Sequence, residues 1–399
     1  MKQKCLLLVG VHDGCCDRAH QRGIDFILLQ KPQNADGELN RSLDNVLLMD
    51  FENSPYIKPI VTAMHQHAPF DQVISITELG LLPAAQMNEY LGLGGTTPEV
   101  VKRTRNKWLM RQHLDSIGFP NLKAALVEDK TQLKQFAKQV GYPIIVKPSD
   151  GAGSIGIRFF EAPEQIDKCS YEYFKQSLIA EEFADGEEFS VETFSFSGKH
   201  IVFGITKKIV SSDNENNPFV EIGHMSPAPL EQADKELINN FIAQFLDIIG
   251  ITDGLAHTEI KMTSKGIRVI ETHNRNGGDH IADLTRLSTG HDLLDYAVAW
   301  PTGQIEPLQS SPEAKRGAAI LYFQSPNAAS IKSMKGMERL RYEPGVVHIE
   351  FAVKQGQHVH QLSSSYDRIG FVVACAETAE AALLVCEKVV DEISIKFTS

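Results

Sequence analysis

LAHTEIKMTSKGIRVIETHNRNGGDHIADL, residues 255–284, is the stretch whose reading decides the fold. Two β-like runs carry Glu259 and Glu271, and Thr263-Ser264-Lys265-Gly266 between them is a turn signal. A three-residue loop over 264–266, with Gly266 at positive φ, pairs the runs symmetrically about Lys265. Glu259 then stands opposite Glu271 on the same face, with Cβ atoms roughly 5 Å apart. Like charges so placed repel, and a cation between them resolves the conflict. Arg275, four residues past the second carboxylate, adds a fixed fork for an anion. Two carboxylates, a metal and an arginine are what a nucleoside triphosphate site needs. An exposed acidic hairpin is the alternative that this segment alone leaves open.

Working outward, a chain of 399 residues is too long for one ordinary core, and two to three domains are expected. Its 42% hydrophobic and 23% charged content is that of a soluble globular protein. A net charge of −12 argues against nucleic-acid or anionic-membrane partners, and no run approaches a membrane span. The opening MKQKCLLLVGVHDG reads as a first β-strand rather than a secretory leader, because its apolar run is short and ends in Gly10. The six cysteines (Cys5, Cys15, Cys16, Cys169, Cys375, Cys386) lack zinc-site spacing and read as free thiols of a reducing cytoplasm.

Residues 1–95 alternate apolar runs with helical stretches, as in an α/β layer fold. Runs at 4–9, 26–29, 46–50 and 72–77 suit strands buried on both faces of a parallel sheet. GVHDG (10–14) departs from G-x-G-x-x-G and reads as a tight strand-to-helix turn. LGLGGTTPE (91–99) marks a domain boundary, and a helix follows from about Pro98 to Gly118 carrying Arg103, Arg105 and Lys107. Helices are also expected at 128–140, 231–249 and 379–393, and a buried strand at 143–147. Residues 213–229 are polar and proline-containing, and composition loosens into a linker at 305–316.

In YPIIVKPSDGAGSIGI (142–157) a buried strand delivers Lys147, and Gly151, Gly153, Ser154 and Gly156 follow in a loop. Glycines let backbone N–H groups approach phosphate oxygens, while lysine supplies a compact positive charge. With the lysine first, this is not a P-loop. A glycine hairpin beside a surface lysine is the alternative, disfavoured because an unpaired ammonium behind Ile-Ile-Val is costly. LIAEEFADGEEFSVETFSF (178–196) offers strand-end backbone groups suited to adenine, and Glu181, Glu182, Glu187 and Glu188, any of which could accept from a ribose. Read in isolation, those acids surround a solvated turn. FGITKKIV (203–210) directs Lys207 and Lys208 either at a phosphate or at solvent.

In order and spacing, Lys107, Lys147 with its loop, Glu181 to Glu188, Glu259, Glu271 and Arg275 resemble the ATP-grasp superfamily over most of residues 70–300. That resemblance implies an α/β architecture: a Rossmann-like N-terminal domain over 1–95, a nucleotide-binding and catalytic domain over 96–305 with a lid at about 120–190, and an α+β closing domain over 306–399. It implies that Lys107 and Lys147 contact ATP phosphates beneath the loop of Gly151, Gly153, Ser154 and Gly156. Glu181 and Ala184 would meet adenine through backbone groups, Glu188 the ribose, and Glu259 and Glu271 two Mg²⁺ ions, with Mn²⁺ as a substitute. Arg275 and Lys208 would be the catalytic cations, Arg275 steadying an acyl phosphate or tetrahedral intermediate.

ETHNRNGGDHI (271–281) and FVEIGHMSPAPL (219–230) most resemble the L-amino-acid ligases and related carboxylate–amine ligases. The likeness implies that Glu221, His224, Gly278 and Asp279 receive substrate. Many members carry asparagine two residues after the second metal glutamate, where this chain has His273, followed by Asn274. Imidazole suits softer metals than Mg²⁺, so His273 is expected to turn away or touch substrate, and neither residue is counted as a ligand. SSSYDRIGFVVACAETAEAAL (363–383) resembles the closing domain, with Asp367, Arg368 and Gly370 as a structural turn. The implied activity is ATP-dependent joining of a small carboxylate to an amine through an acyl phosphate, by a protein expected as a homodimer. Other ATP-grasp ligases or carboxylases and a nucleotide-sensing module are the rival readings.

Overall fold

The computed structural model describes residues 4–11, 13–34, 44–150, 153, 155–211 and 218–398. Strands β1 (Cys5–Val9), β2 (Asp25–Gln30), β3 (Val46–Leu48) and β4 (Gln72–Ile74) form a parallel sheet in the order β3-β2-β1-β4. The unbroken apolar run of β1 follows from burial on both faces. Leu6 and Leu8 pack into one cluster with Cys15 and Ala19 of helix Asp13–Gln21. Leu7 and Val9 pack into another with Val61 of helix Ile57–His67 and Met87 of helix Glu78–Leu91.

The helix expected as one piece from Pro98 to Gly118 is two, Pro98–Arg105 and Lys107–Ser116. Asn106 breaks it: its backbone is extended and its side-chain oxygen accepts from Leu109 N–H at 3.0 Å, capping the second helix. Lys107 therefore sits at a helix start, its N–H donating to the Ser149 carbonyl at 2.8 Å.

Strands β5 (Ala124–Val127), β6 (Ile144–Pro148), β7 (Arg158–Phe160) and β8 (Leu178–Glu182) form a second sheet in the order β5-β8-β6-β7. Helix Lys130–Val140, capped by Asp129, covers it through Leu133, Phe136 and Ala137. The largest sheet is antiparallel and gathers β9 (Glu187–Phe196), β10 (Lys199–Val210), β11 (Glu221–Ser226), β12 (Gly254–Thr263) and β13 (Gly266–His273). Past β14 (Gly317–Phe323), β15 (Ala329–Lys335), β16 (Val346–Phe351), β17 (His358–Val359), β18 (Gly370–Ala376) and β19 (Ser394–Thr398) complete the strands. The order of the large sheet is β13-β12-β9-β10-β11-β14-β18-β16. It continues without interruption from β11 to β14, across the stretch where composition loosens. Within the polar, proline-containing stretch 213–229 the chain forms β11, and Glu221 and His224 of this strand line the cavity described below. No helix among the described residues is long and apolar enough to cross a membrane.

The β12–β13 hairpin departs from the expected symmetry. Thr263 pairs with Gly266, so the loop is Ser264-Lys265, with Gly266 at φ +92°. Pairing proceeds to Ile260 and Val269, and then a β-bulge inserts Ile270. The bulge restores Glu259 to a position opposite Glu271. Without it, the ladder would set Glu259 against Ile270 and turn Glu271 to the other face.

Candidate active site

A cavity of about 320 Å³ opens between the second sheet, strands β10–β13, the start of helix Lys107–Ser116 and the loop at 365–368. Most of the residues singled out from sequence line it, among them Lys107, Lys147, Glu188, Lys208, Glu259 and Glu271. Gly153 is on the wall as well, whereas Gly156 lies off it, its carbonyl accepting from the Tyr173 hydroxyl at 3.0 Å. Gly151 and Ser154 fall outside the described residues.

Each of the two facing carboxylates pairs with its own lysine. Lys107 Nζ is 2.7 Å from Glu271, and Lys208 Nζ is 2.7 Å from Glu259. Lys208 also lies 2.8 Å from Glu188 and 3.1 Å from Glu221, so one buried ammonium gathers three acids. Burial would raise Glu259, but Lys208 and His257 outweigh it and hold the carboxyl at about 2. Glu271 is likewise held well below the ordinary range, by Lys107 and His273 against burial. Both stay ionised, face the cavity and offer hard oxygens, which fits Mg²⁺. Among the described residues no three His, Cys, Asp or Glu side chains form a closed metal cage. Two carboxylates are the usual protein share of a Mg²⁺ site that relies on phosphates and water for its other ligands.

Glu181 is buried beneath this pair. Lys147 Nζ and Arg111 Nε each approach it at 2.7 Å, and together they overcome burial to hold it at about 2. Arg111, fully buried, also donates through Nη2 to the Ile270 carbonyl at 2.9 Å, satisfying the group that the bulge frees. Arg111 escaped sequence reading because RQHLDSIG looks like an ordinary helix end. Ala184 lines the cavity, its carbonyl accepting from Lys261 Nζ at 3.2 Å. Leu122, Ile145, Phe183 and Ile270 give this end of the cavity an apolar wall. Gly186 is required at the turn beyond: at φ +94° a Cβ would meet the Met262 carbonyl at 2.0 Å.

His273 does not turn away but lines the cavity. It sits between Glu271 and Glu78 at 3.4 and 3.3 Å, inside ion-pair range of both. Burial would lower it, but the two carboxylates prevail and raise it. Asn274 points elsewhere, into a second hollow of about 80 Å³ against the first sheet, its buried side-chain oxygen having no hydrogen-bond partner among the described residues. Arg275 Nε donates to Glu78 at 2.9 Å, and Arg105 Nε takes the other Glu78 oxygen at 2.9 Å. Glu78, the first residue of helix Glu78–Leu91, thus ties the N-terminal parallel sheet's helix to Arg275.

On the far wall, Arg368 grips Asp279 with two bonds, 2.6 and 2.7 Å, and its guanidinium stacks over Tyr322 at 3.7 Å. This corrects the reading of Arg368 as part of a merely structural turn, since it lines the cavity. His224 approaches Asp279 at 3.4 Å, and Ser365 Oγ donates to Glu221 at 3.2 Å. Burial would raise Asp279, yet His224 and Arg368 drive it far below the ordinary range. Gly278 completes this wall.

Family models match three stretches of the chain. An ATP-grasp N-terminal domain matches residues 16–95, an ATP-grasp domain 140–283, and the L-amino acid ligase C-terminal domain 2 residues 321–398. An uncharacterized protein of Sinorhizobium fredii is 26% identical over 75% of this chain, which spans 63% of that relative's length. The L-arginine-specific L-amino acid ligase of Bacillus subtilis is 24% identical over 84% of this chain and 82% of its own. Among solved structures, an L-amino acid ligase from Bacillus licheniformis superposes with a TM-score of 0.84 at 19% identity, over 100% of both chains, and shares the fold.

Proposed function

We propose, from the premise that the chain belongs to the ATP-grasp superfamily and ends in an L-amino acid ligase C-terminal domain, that it is an ADP-forming carboxylate–amine ligase. The observation that carries the reading is one cavity with two walls. Glu259, Glu271, Lys107, Lys147 and Arg275 make a phosphoryl-transfer wall, and Glu221, His224, Asp279 and Arg368 a polar wall for a second substrate.

In this reading a substrate carboxylate attacks the γ-phosphorus of ATP, the bond to ADP breaks, and an acyl phosphate forms. An amine nitrogen then attacks the acyl carbon and phosphate leaves, forming an amide. Lys107 and Lys147 hold phosphates, the apolar wall at Ile145 and Phe183 receives adenine near Ala184, and Glu188 meets the ribose. Bound Mg²⁺, proposed as two ions with Mn²⁺ able to substitute, would be held by Glu259 and Glu271 and neutralise the phosphoryl charge. Arg275, steadied by Glu78, and Lys208, paired with Glu259, line the cavity and are the cations we assign to the anionic intermediate. Asp279, gripped by Arg368, and Glu221, beside Lys208, are the candidate bases for the amine proton. Two L-amino acids, or an amino acid and a small carboxylic acid, are the proposed substrates. Six free thiols suit a reducing cytoplasm, and a homodimer is the proposed assembly.

Phosphate release from ATP, measured over pairs of L-amino acids and small carboxylic acids, tests the proposal. Stimulation by specific pairs, with a matching amide product in mass spectrometry, is expected. Absence of stimulation by any pair would defeat it. Glu271→Gln is expected to abolish turnover in a folded protein, and near-normal activity would contradict the metal assignment.

A further inference from the structure

Glu192, in β9, has no exposed surface, and no step above uses it. Its carboxylate holds two separate pieces of chain. One oxygen pairs with His257 Nδ1, and the other accepts from the Gly277 backbone N–H at 2.9 Å. His257 stands opposite Glu192 in the β9–β12 ladder, and its Nε2 lies 3.4 Å from Glu259. Gly277 leads directly into Gly278 and Asp279 on the substrate wall. The fit has no slack: a Cβ on Gly277 would meet His257 Nδ1 at 2.7 Å and Glu192 Oε1 at 2.8 Å. Glycine is required here for close approach.

We infer that Glu192 is a positioning residue that pins the substrate-side loop 277–279 to the strand bearing Glu259. The pin fixes the separation between the bound second substrate and the phosphoryl-transfer wall. Reacting groups that must meet at van der Waals range lose much of their rate to small displacements, so a buried, doubly engaged carboxylate is well suited to the task. The inference rests on the ligase reading for what the loop delivers, but not for the metal strand it anchors.

Two variants of the full chain separate reach from charge. Glu192→Gln keeps the reach: its oxygen can accept from Gly277, and its amide can donate to Nδ1 of a neutral His257. Glu192→Asp keeps the charge and is one methylene short. For the Asp variant kcat/KM for the amine should fall about 10- to 100-fold, while the Gln variant stays within about threefold of wild type. KM for ATP should follow nucleotide affinity, rising up to about tenfold in Glu192→Asp and holding in Glu192→Gln. Mn²⁺·ADP binding, followed by Mn²⁺ EPR with no carboxylate or amine present, should weaken about tenfold in Glu192→Asp and hold in Glu192→Gln. Gly277→Ala should copy the Asp variant, and decides by the same measurements if that variant does not fold. Equal impairment of the Gln and Asp variants, or wild-type behaviour of Asp, would overturn the inference. Should wild type show no turnover with any substrate pair, the ligase reading fails, while the order of Mn²⁺·ADP affinities still decides the role of Glu192.

Discussion

Replacing Arg111 by methionine should injure both stability and chemistry, because one guanidinium serves two ends of the site. It pairs with Glu181 and donates to the Ile270 carbonyl at the bulge. Methionine fills much of the same volume without charge or donors. Removing one partner of a buried pair costs about 3 to 5 kcal/mol, and Lys147 still faces Glu181, so the lower end, about 3 kcal/mol, applies. Stranding a buried carbonyl adds about 1 kcal/mol. At roughly 2.1 cal/mol/K of unfolding entropy per residue, a cooperative unit of 399 residues has about 0.8 kcal/mol per degree. The combined loss of about 4 kcal/mol should therefore lower Tm by about 5 °C in differential scanning calorimetry. The bulge should relax as well, turning Glu271 from Glu259, and ATP-dependent amide formation should drop on the order of 100-fold. Lysine at 111 should recover little, since it lacks the fork that reaches both acceptors. A folded Arg111→Met protein with Tm within 1 °C of wild type (about 0.8 kcal/mol) and unimpaired turnover would refute the reasoning.

Arg368→Ala should raise KM for one substrate about 10- to 100-fold with KM for ATP little changed, because Asp279 loses two charge-assisted bonds; steady-state kinetics with each substrate varied checks this. Glu78→Gln should lower kcat about tenfold by loosening Arg275, without changing Mn²⁺·ADP affinity in EPR titration. Glu78 and Glu181 are both held at about 2, below the ordinary 4.5. The unfolded chain therefore binds more protons between those values, so their stabilisation is complete above about pH 4.5 and lost as pH falls toward 2. Thermal melts should be flat in this contribution above about pH 5 and fall below it; a Tm that climbs from pH 5 to pH 3 would contradict the assignment.

Much of this site was legible in the chain because its chemistry is written locally. A lysine behind Ile-Ile-Val, followed by spaced glycines, has few uses other than an anion, since burying that ammonium unpaired is costly. The acids and arginine of the hairpin stand close enough in sequence for strand periodicity to bring them together. Glu78, Arg111, Glu192 and Arg368 were missed as site residues for the opposite reason. Their partners lie far along the chain, at Arg275, Glu181, Gly277 and Asp279, and no local period relates such pairs. Glu192 had left a faint signal, a carboxylate inside the apolar run FSVETFSF.

The hairpin of residues 255–284 divides the two kinds of information most clearly. By itself the sequence determined two strands, a turn at Ser264-Lys265-Gly266 and a carboxylate on each arm. It also placed Glu259 opposite Glu271, but by way of a symmetric loop that the chain does not form. Only the tertiary structure decided that Ile270 bulges, because the carbonyl it exposes is satisfied by Arg111 from a helix 159 residues away in sequence. A backbone group that leaves its ladder inside a protein needs another donor, and no reading of neighbouring residues can supply one.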